Sequence, residues 1–284
     1  MISYNDYNTI SNFIFNLYDI TKLDFGEDYG VTLYIIDMQN IIIDGFNFAF
    51  IGAYVGYKDE TDTDEVKLNK TLSILDSMLN KLDTQFPFAD VYACWDSPGG
   101  TTFRKQLDED YKANRPSKKL LDFESIATIR EMFKDRGILD FSIKETEGDD
   151  AVFALCKALK ERFPSCENII VTRDRDMLQV VQAGYARGIY EPVKKSFIDV
   201  PTYPVTIFKA LVGDKSDNIS GVRGIGEAKA KKLIANLMVR GTLGLDEEQT
   251  KQYEKCLKMV DATQHPRFHE NTQAANLFLK RLIH

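Results

Sequence analysis

Short apolar runs that stop at an acidic residue recur along this 284-residue chain. Ile41, Ile42 and Ile43 run into Asp44, Val91 to Trp95 runs into Asp96, and Ile169, Ile170 and Val171 stop shortly before Asp174. Such runs fit strands buried on both faces of a parallel sheet, and ligands of such sheets bind beyond the carboxyl ends of the strands. Between them the spacing becomes helical. Leu68, Leu72, Leu75, Leu79 and Leu82 form one stripe, and Asp149 to Phe163 predicts a second strong helix. Phe141 to Ile143 predicts a short strand, and Ser117 is placed to cap a helix that runs to about Arg136 and stops at Gly137. This alternation predicts an α/β fold with a central, mostly parallel sheet flanked by helices.

The two ends of the chain follow other patterns. Ile10, Phe13, Ile14, Leu17 and Tyr18 have amphipathic spacing, predicting a capping helix within an N-terminal extension of residues 1–30, and Leu33 to Ile36 predicts an added edge strand. After residue 200 come Pro201 and Pro204, a helix ending near Gly213, a glycine-rich turn from Gly221 to Gly226, and helices to the C-terminus. The expected division is a core over residues 31–200 and a helical region over 201–284.

Composition narrows the setting. With 44% hydrophobic and 28% charged residues the chain can bury a sizeable core. It has no apolar run of about 18 residues and no signal-peptide pattern, so the expected location is the cytoplasm, with no membrane partner. Cys94, Cys156, Cys166 and Cys256 lack CxxC spacing and are expected as reduced thiols. Net charge is -7, yet residues 98–120 carry six basic side chains against three acidic ones, and residues 221–240 carry five against one. Two basic patches therefore flank an acidic centre, a distribution suited to a polyanion that meets bound cations.

The acidic centre gathers residues from five segments: Asp44; Asp96; Glu147, Asp149 and Asp150; Asp174 and Asp176; Asp214 and Asp217. Unit charges 4 Å apart repel by about 4 kcal/mol at an effective dielectric near 20, so a shared cleft calls for counter-ions. Oxygen donors without histidine or cysteine favour Mg²⁺, with Mn²⁺ able to replace it, over zinc. His265 and His269, with Pro266 between them, are expected as surface histidines, while Trp95, Phe103, Met132 and Met177 are expected as packing residues.

The turn Gly221-Val222-Arg223-Gly224-Ile225-Gly226 before a lysine-rich helix is similar to the hairpin of a helix-hairpin-helix module, in which glycine lets the main chain approach a phosphate. Five segments together carry a wider resemblance: IIIDGFN at 41–47, TFRKQLDEDYKANRP at 102–116, EGDDA at 147–151, TRDRDM at 172–177 and GDKSDNISGVRGIGEAKA at 213–230. In this order the chain resembles the 5′ nuclease superfamily of flap endonucleases, both the bacteriophage-type enzymes and the N-terminal nuclease domain of bacterial DNA polymerase I. The resemblance covers residues 40–240.

It implies a PIN-like nuclease core with a helical arch at about 98–120 and an H3TH-type helical region. It implies hydrolysis of DNA at 5′ ends and 5′ flaps near duplex junctions by two divalent ions, leaving 5′-phosphate and 3′-hydroxyl ends. Asp44, Asp96, Glu147 and Asp149 would hold the first ion with Asp150 beside them; Asp174, Asp176 and Asp214 would hold the second with Asp217 further out. Asp37, in LYIIDMQN, is the alternative to Asp44. Lys112 and Arg104 correspond to the catalytic basic residues of the arch, with Lys105, Tyr111 and Arg115 as further contacts. Gly221, Arg223, Gly224, Gly226 and Lys229 would meet the duplex backbone, with K⁺ at the glycine hairpin.

Further implications are a monomer, RNA:DNA hybrids as additional substrates, a replication-machinery partner, and a bacterial or phage-infected host cytoplasm. Two positions depart from the pattern. Ile51 stands where a basic residue is usual, and DSPGG after the second strand lacks the usual lysine. A non-cutting branched-DNA-binding module and a PIN-type ribonuclease are the competing readings; the first requires a lost ligand, and the second lacks the glycine hairpin and basic arch.

Overall fold

The computed structural model describes residues 38–115 and 120–282. The amphipathic segment at 10–18, the strand expected at 33–36, Asp37 and Ser117 lie outside the described residues. Six strands form one sheet: β1 Gln39–Asp44, β2 Asp90–Trp95, β3 Leu139–Ser142, β4 Glu167–Val171, β5 Gly188–Glu191 and β6 Ser196–Phe197. Their order is β3-β2-β1-β4-β5-β6, all parallel except β6 against β5. Order reverses between β1 and β4, where Ile43 lies beside Val171, so the crevice beyond that pair is a topological switch point.

Strand alternation divides the core. Ile41 and Ile43, with Ala93, Trp95, Ile169 and Val171, bury one face under helices α1 Gly45–Gly56, α2 Asp64–Gln85 and α4 Phe123–Asp135. Ile42, Tyr92, Cys94 and Ile170 bury the other under α5 Gly148–Arg162. Helices on both faces explain why the strands read as unbroken apolar runs. The leucine stripe lies on α2, with Leu75, Leu79 and Leu82 buried. Helix α4 begins at Phe123 rather than near Ser117, because Asp122 accepts the Ser125 N–H at 2.8 Å and caps it. Trp95 and Met177 are fully buried, Met132 packs beside the core, and all four cysteines are buried free thiols.

The segment expected as a helical arch spans about residues 98–120, of which 116–119 lie outside the described residues. Its described part is a six-residue helix, α3 Thr102–Leu107, followed by turns from Asp108 to Arg115 that fold back toward the sheet. The last segment holds α6 Leu178–Gln182, α7 Val205–Val212, α8 Glu227–Arg240, α9 Glu247–Val260 and α10 Phe268–Leu282. Helix α10 returns to the main core, where the Phe278 ring lies 4.8 Å from Phe141 and Phe268 lies 5.4 Å from Phe153.

Helices α7 and α8 pack through Leu211, Val222, Ile225, Ala230 and Ile234 across the glycine turn. Gly213 (φ 89°) and Gly221 (φ 69°) press backbone to backbone there, so a Cβ on Gly221 would lie 2.4 Å from the Gly213 nitrogen. Gly224 also has positive φ, but neither it nor Gly226 has an atom within 4 Å of a built Cβ. Gly221→Ala is expected to lose about 3 kcal/mol, from crowding plus the left-handed penalty, and Gly224→Ala about 1 kcal/mol. Urea denaturation of both variants checks this; equal losses would contradict it.

Candidate active site

Each acidic segment is delivered by a different element to the switch-point crevice. Asp44 ends β1 and caps α1, accepting the Asn47 N–H at 3.1 Å and the Thr172 hydroxyl at 2.9 Å. Asp174 caps the 3₁₀ turn after β4, accepting the Asp176 N–H at 2.8 Å, while Asn47 accepts the Arg173 N–H at 2.9 Å and ties both loops together. Asp96, at the outer rim, accepts the Gly148 N–H at 2.5 Å and so links β2 to the start of α5. Glu147 is the N-cap residue of α5, with Asp149 and Asp150 in its first turn, where the positive helix end favours ionised carboxylates. Asp214 and Asp217 follow α7, and a bridge between Asp214 and Ile219 shapes their loop.

The basic residues set the charge pattern. Arg104, 6% exposed, donates to Glu147 at 2.6 Å, to both oxygens of Asp150 at 2.7 and 2.9 Å, and through Nε to the Met259 carbonyl at 2.8 Å. In this arrangement the Arg104 guanidinium forms a fork committed to its own chain, and Asp150 is held by that fork. Lys112, at φ 58°, contacts Glu147 with its ammonium and lies 3.8 Å from Asp217. Its backbone N–H donates to the Asp217 carbonyl at 2.9 Å. The buried Tyr111 hydroxyl lies 3.1 Å from both Glu147 and Asp217, so its single proton is shared between the two carboxylates, and Arg115 pairs with Asp217 at 2.7 Å. Turn 108–115 is thereby fastened across the cleft to loop 214–218.

Lys209 on α7 was not anticipated. Its ammonium contacts Asp176 and lies 2.5 Å from Asp214. The signal was available as a lysine one helical turn before the glycine that ends α7, within reach of the following loop. Thr172, whose hydroxyl orients Asp44, was likewise inside a quoted motif without an assigned role.

Crowding shifts the carboxyls upward. Burial pushes Asp44 up to about 7, with Asp174 and Asp96 adding to the rise and the Asn47 and Thr172 bonds opposing it. Asp176 rises to about 7 through burial and Asp174, against Lys209. Asp149 is raised well above the usual range by burial and by Asp174, Asp44 and Asp176. Surrounding protein and Glu147 raise Asp96, whereas Asp214 ends below its ordinary value because Lys209 and Ser216 outweigh its burial. Among the described residues no three acidic, histidine or cysteine side chains close into a ready-made metal cage. The acids instead line a narrow cleft that includes Asp149, Asp176 and Asp217, with Tyr111 and Gln179 between them.

Other expected contacts fall away from this centre. Lys105 is exposed on α3, and Arg223 is exposed at the hairpin with its N–H donating to Gln252 at 2.9 Å. Lys229 donates to the Gly224 carbonyl at 3.3 Å. Gly221 is buried in the turn, where its backbone presses against that of Gly213. His269 is exposed as expected, but His265 is buried: its ring meets Phe103 at 4.9 Å and its Nδ1 accepts the Arg267 N–H at 3.2 Å. Pro266 does not keep it at the surface, because the turn into α10 folds it beneath α3.

Residues 39–200 match the family described as 5′-3′ exonuclease, N-terminal resolvase-like domain, and the chain belongs to that family. The 5′-3′ exonuclease of Bacillus subtilis (strain 168) is 29% identical over 209 residues, covering 68% of this chain and 69% of that protein. DNA polymerase I of Caldicellulosiruptor bescii is 31% identical over 212 residues, which are 69% of this chain and 24% of the polymerase. Among solved structures, the bacteriophage T5 5′-exonuclease with bound zinc shares the fold at a TM-score of 0.61 and 16% identity, over 86% of this chain and 98% of that one.

Two outcomes follow from the charge pattern. Arg104→Ala leaves Asp150 and Glu147 buried without their partner and is expected to cost about 3–5 kcal/mol in denaturation experiments; a loss under about 1 kcal/mol would contradict the internal role. The raised carboxyls hold protons more tightly in the folded chain, so their contribution is full below about pH 4 and is lost as pH rises to about 7. The lowered Asp214 acts in the opposite sense, but only in the acid range near and below its ordinary value of 3.8. The melting temperature of metal-free protein is therefore expected to rise between pH 8 and pH 6, and less so in Asp44→Asn. A flat or falling profile in that window would count against the crowding.

Proposed function

We propose that this chain is a structure-specific 5′ nuclease that hydrolyses DNA phosphodiesters at 5′ ends and 5′ flaps near duplex junctions. The observation that carries this reading is the convergence, at the switch point of a 5′-3′ exonuclease-family sheet, of buried carboxylates that raise one another's affinity for protons. Such a centre is stabilised by hard divalent cations, and its all-oxygen donors fit Mg²⁺ or Mn²⁺. In this reading Asp44, Asp96, Asp149 and Asp174 would hold one ion and Asp176 and Asp214 a second; Asp174 moves to the first ion from the set the resemblance implied, and Glu147, there a ligand, instead orients Lys112 and Tyr111 with Asp217. Ions bound there would activate a water and offset charge on the phosphoryl oxygens.

The chain's own groups do the positioning. Lys112, at the mouth of the cleft, presents its ammonium to the phosphate that enters and exchanges Glu147 for it. Arg104 keeps Glu147 and Asp150 fixed from beneath. The open hairpin at Gly224 and Gly226, with Arg223 and Lys229 beside it and the start of α8 behind, takes the duplex backbone away from the cut. The Gly224 carbonyl, drawn to the Lys229 ammonium, is one that a potassium ion would use there. We place the enzyme in the cytoplasm of a bacterial or phage-infected cell, acting as a monomer on replication flaps, RNA:DNA hybrids included, beside a replication partner. Among the described residues no helix is long and apolar enough to cross a membrane.

A 5′-flap DNA labelled at its 3′ end tests the reading. Junction cutting is expected with Mg²⁺ and not with EDTA, and Asp149→Asn should slow it by about a thousandfold or more. Lys112→Ala should slow single-turnover cutting more than it weakens binding. Junction binding without cutting in Mg²⁺ and Mn²⁺ would favour the binding-module reading instead.

A further inference from the structure

The acids of the cleft divide by what neutralises them. Arg104 holds Asp150 and one oxygen of Glu147, Lys112 holds the other, and Arg115 holds Asp217. Asp44, Asp149 and Asp174 form no ion pair with a basic side chain among the described residues; the side-chain bonds of Asp44 and Asp174 come from backbone N–H groups and the Thr172 hydroxyl. Asp176 and Asp214 share a single cation, the ammonium of Lys209. Lys209 lies on α7 one turn from its end, with its carbonyl accepting the Gly213 N–H at 2.7 Å, so the backbone beneath the ammonium is fixed. Its side chain is 26% exposed, which leaves the flexible stem a path to solvent.

We propose that the Lys209 ammonium stands in for the second divalent ion: the chain holds one ion tightly at Asp44, Asp149 and Asp174, and admits another at Asp176 and Asp214 only by displacing Lys209. The inference rests on the metal reading above. An ammonium and a divalent ion compete for the same two carboxylates, because both need the same oxygen lone pairs, the two cations repel, and a divalent ion alone balances both negative charges. Binding is therefore ordered. The first ion finds carboxylates with no cation to remove, and the second competes with a resident charge.

Counting bound Mn²⁺ by electron paramagnetic resonance on the full chain, without DNA, separates the steps. The unaltered protein is expected to show one tight ion and a second at least about tenfold weaker. Lys209→Met, similar in length and uncharged, should tighten the second ion at least about tenfold and change the first less than about threefold, while Lys209→Arg should keep the original pattern. Unchanged constants in Lys209→Met, or two equal tight ions in the unaltered protein, would overturn the proposal. Failure of the unaltered protein to bind Mn²⁺ at all would overturn the underlying metal reading with it. If Lys209→Met does not fold, the side-chain ammonium resonance of Lys209 gives the same answer in the unaltered chain under Mg²⁺ titration. It should move only in the second, weaker step; movement in the first step, or none, overturns the assignment.

Discussion

Mutual repulsion among carboxylates gathered where the sheet changes direction is the constraint on which the remaining structure turns. Strands β1 and β4 meet in register and end together, so Asp44 and Asp174 are brought close by the same backbone hydrogen bonds that build the sheet. Helix α5 adds Asp149 from a third direction. The fold therefore builds in an electrostatic cost, visible as carboxyls that retain protons to near neutral pH. Apolar burial on both sheet faces supplies the stability that tolerates this cost, through cores centred on Ile42 and Phe153 on one side and Ile43 and Trp95 on the other.

Cations from three later segments then compensate most of the periphery and leave the centre open. Arg104 reaches in from α3, Lys112 from the turn after it, and Lys209 from α7. Each is also a mechanical link. Through Arg104 and Tyr111 the 102–115 segment is tied to α5, to loop 214–218 and to the end of α9. A further small core of Tyr111, Ala210, Ile219, Cys256 and Met259 packs beneath those ties. The hairpin that faces outward at Gly224 is set by the contact of Gly213 and Gly221, which also fixes where Asp214 leaves α7. The glycine turn and the acidic cleft thus share one short rigid connection.

Much of this was legible in the chain. Unbroken apolar runs ending in acids located β1, β2 and β4 because both faces of the sheet are covered, and the leucine stripe located α2 because only one of its faces is buried. Spacing could not say which charges are spent inside the protein. Arg104 and Lys112 look alike in sequence, yet one is buried in a fork of three acceptors and the other sits beside Glu147 and Asp217 with its side chain 14% exposed. Gly221 and Gly224 look alike too, and only their neighbours separate a packing glycine from an open one. His265 is buried by α3 and the turn into α10, elements far apart in sequence. Lys209 escaped notice because its partners lie on either side of it along the chain, at Asp176 and Asp214, and only folding brings them to one ammonium.

If the switch-point carboxylates serve to hold divalent cations, such ions must bind among them. Anomalous diffraction from crystals of the protein soaked in Mn²⁺ tests it most directly. A manganese peak is expected within bonding distance of Asp44, Asp149 and Asp174, as is its loss in Asp149→Asn. An empty cleft, or manganese bound only at surface carboxylates elsewhere, would contradict it.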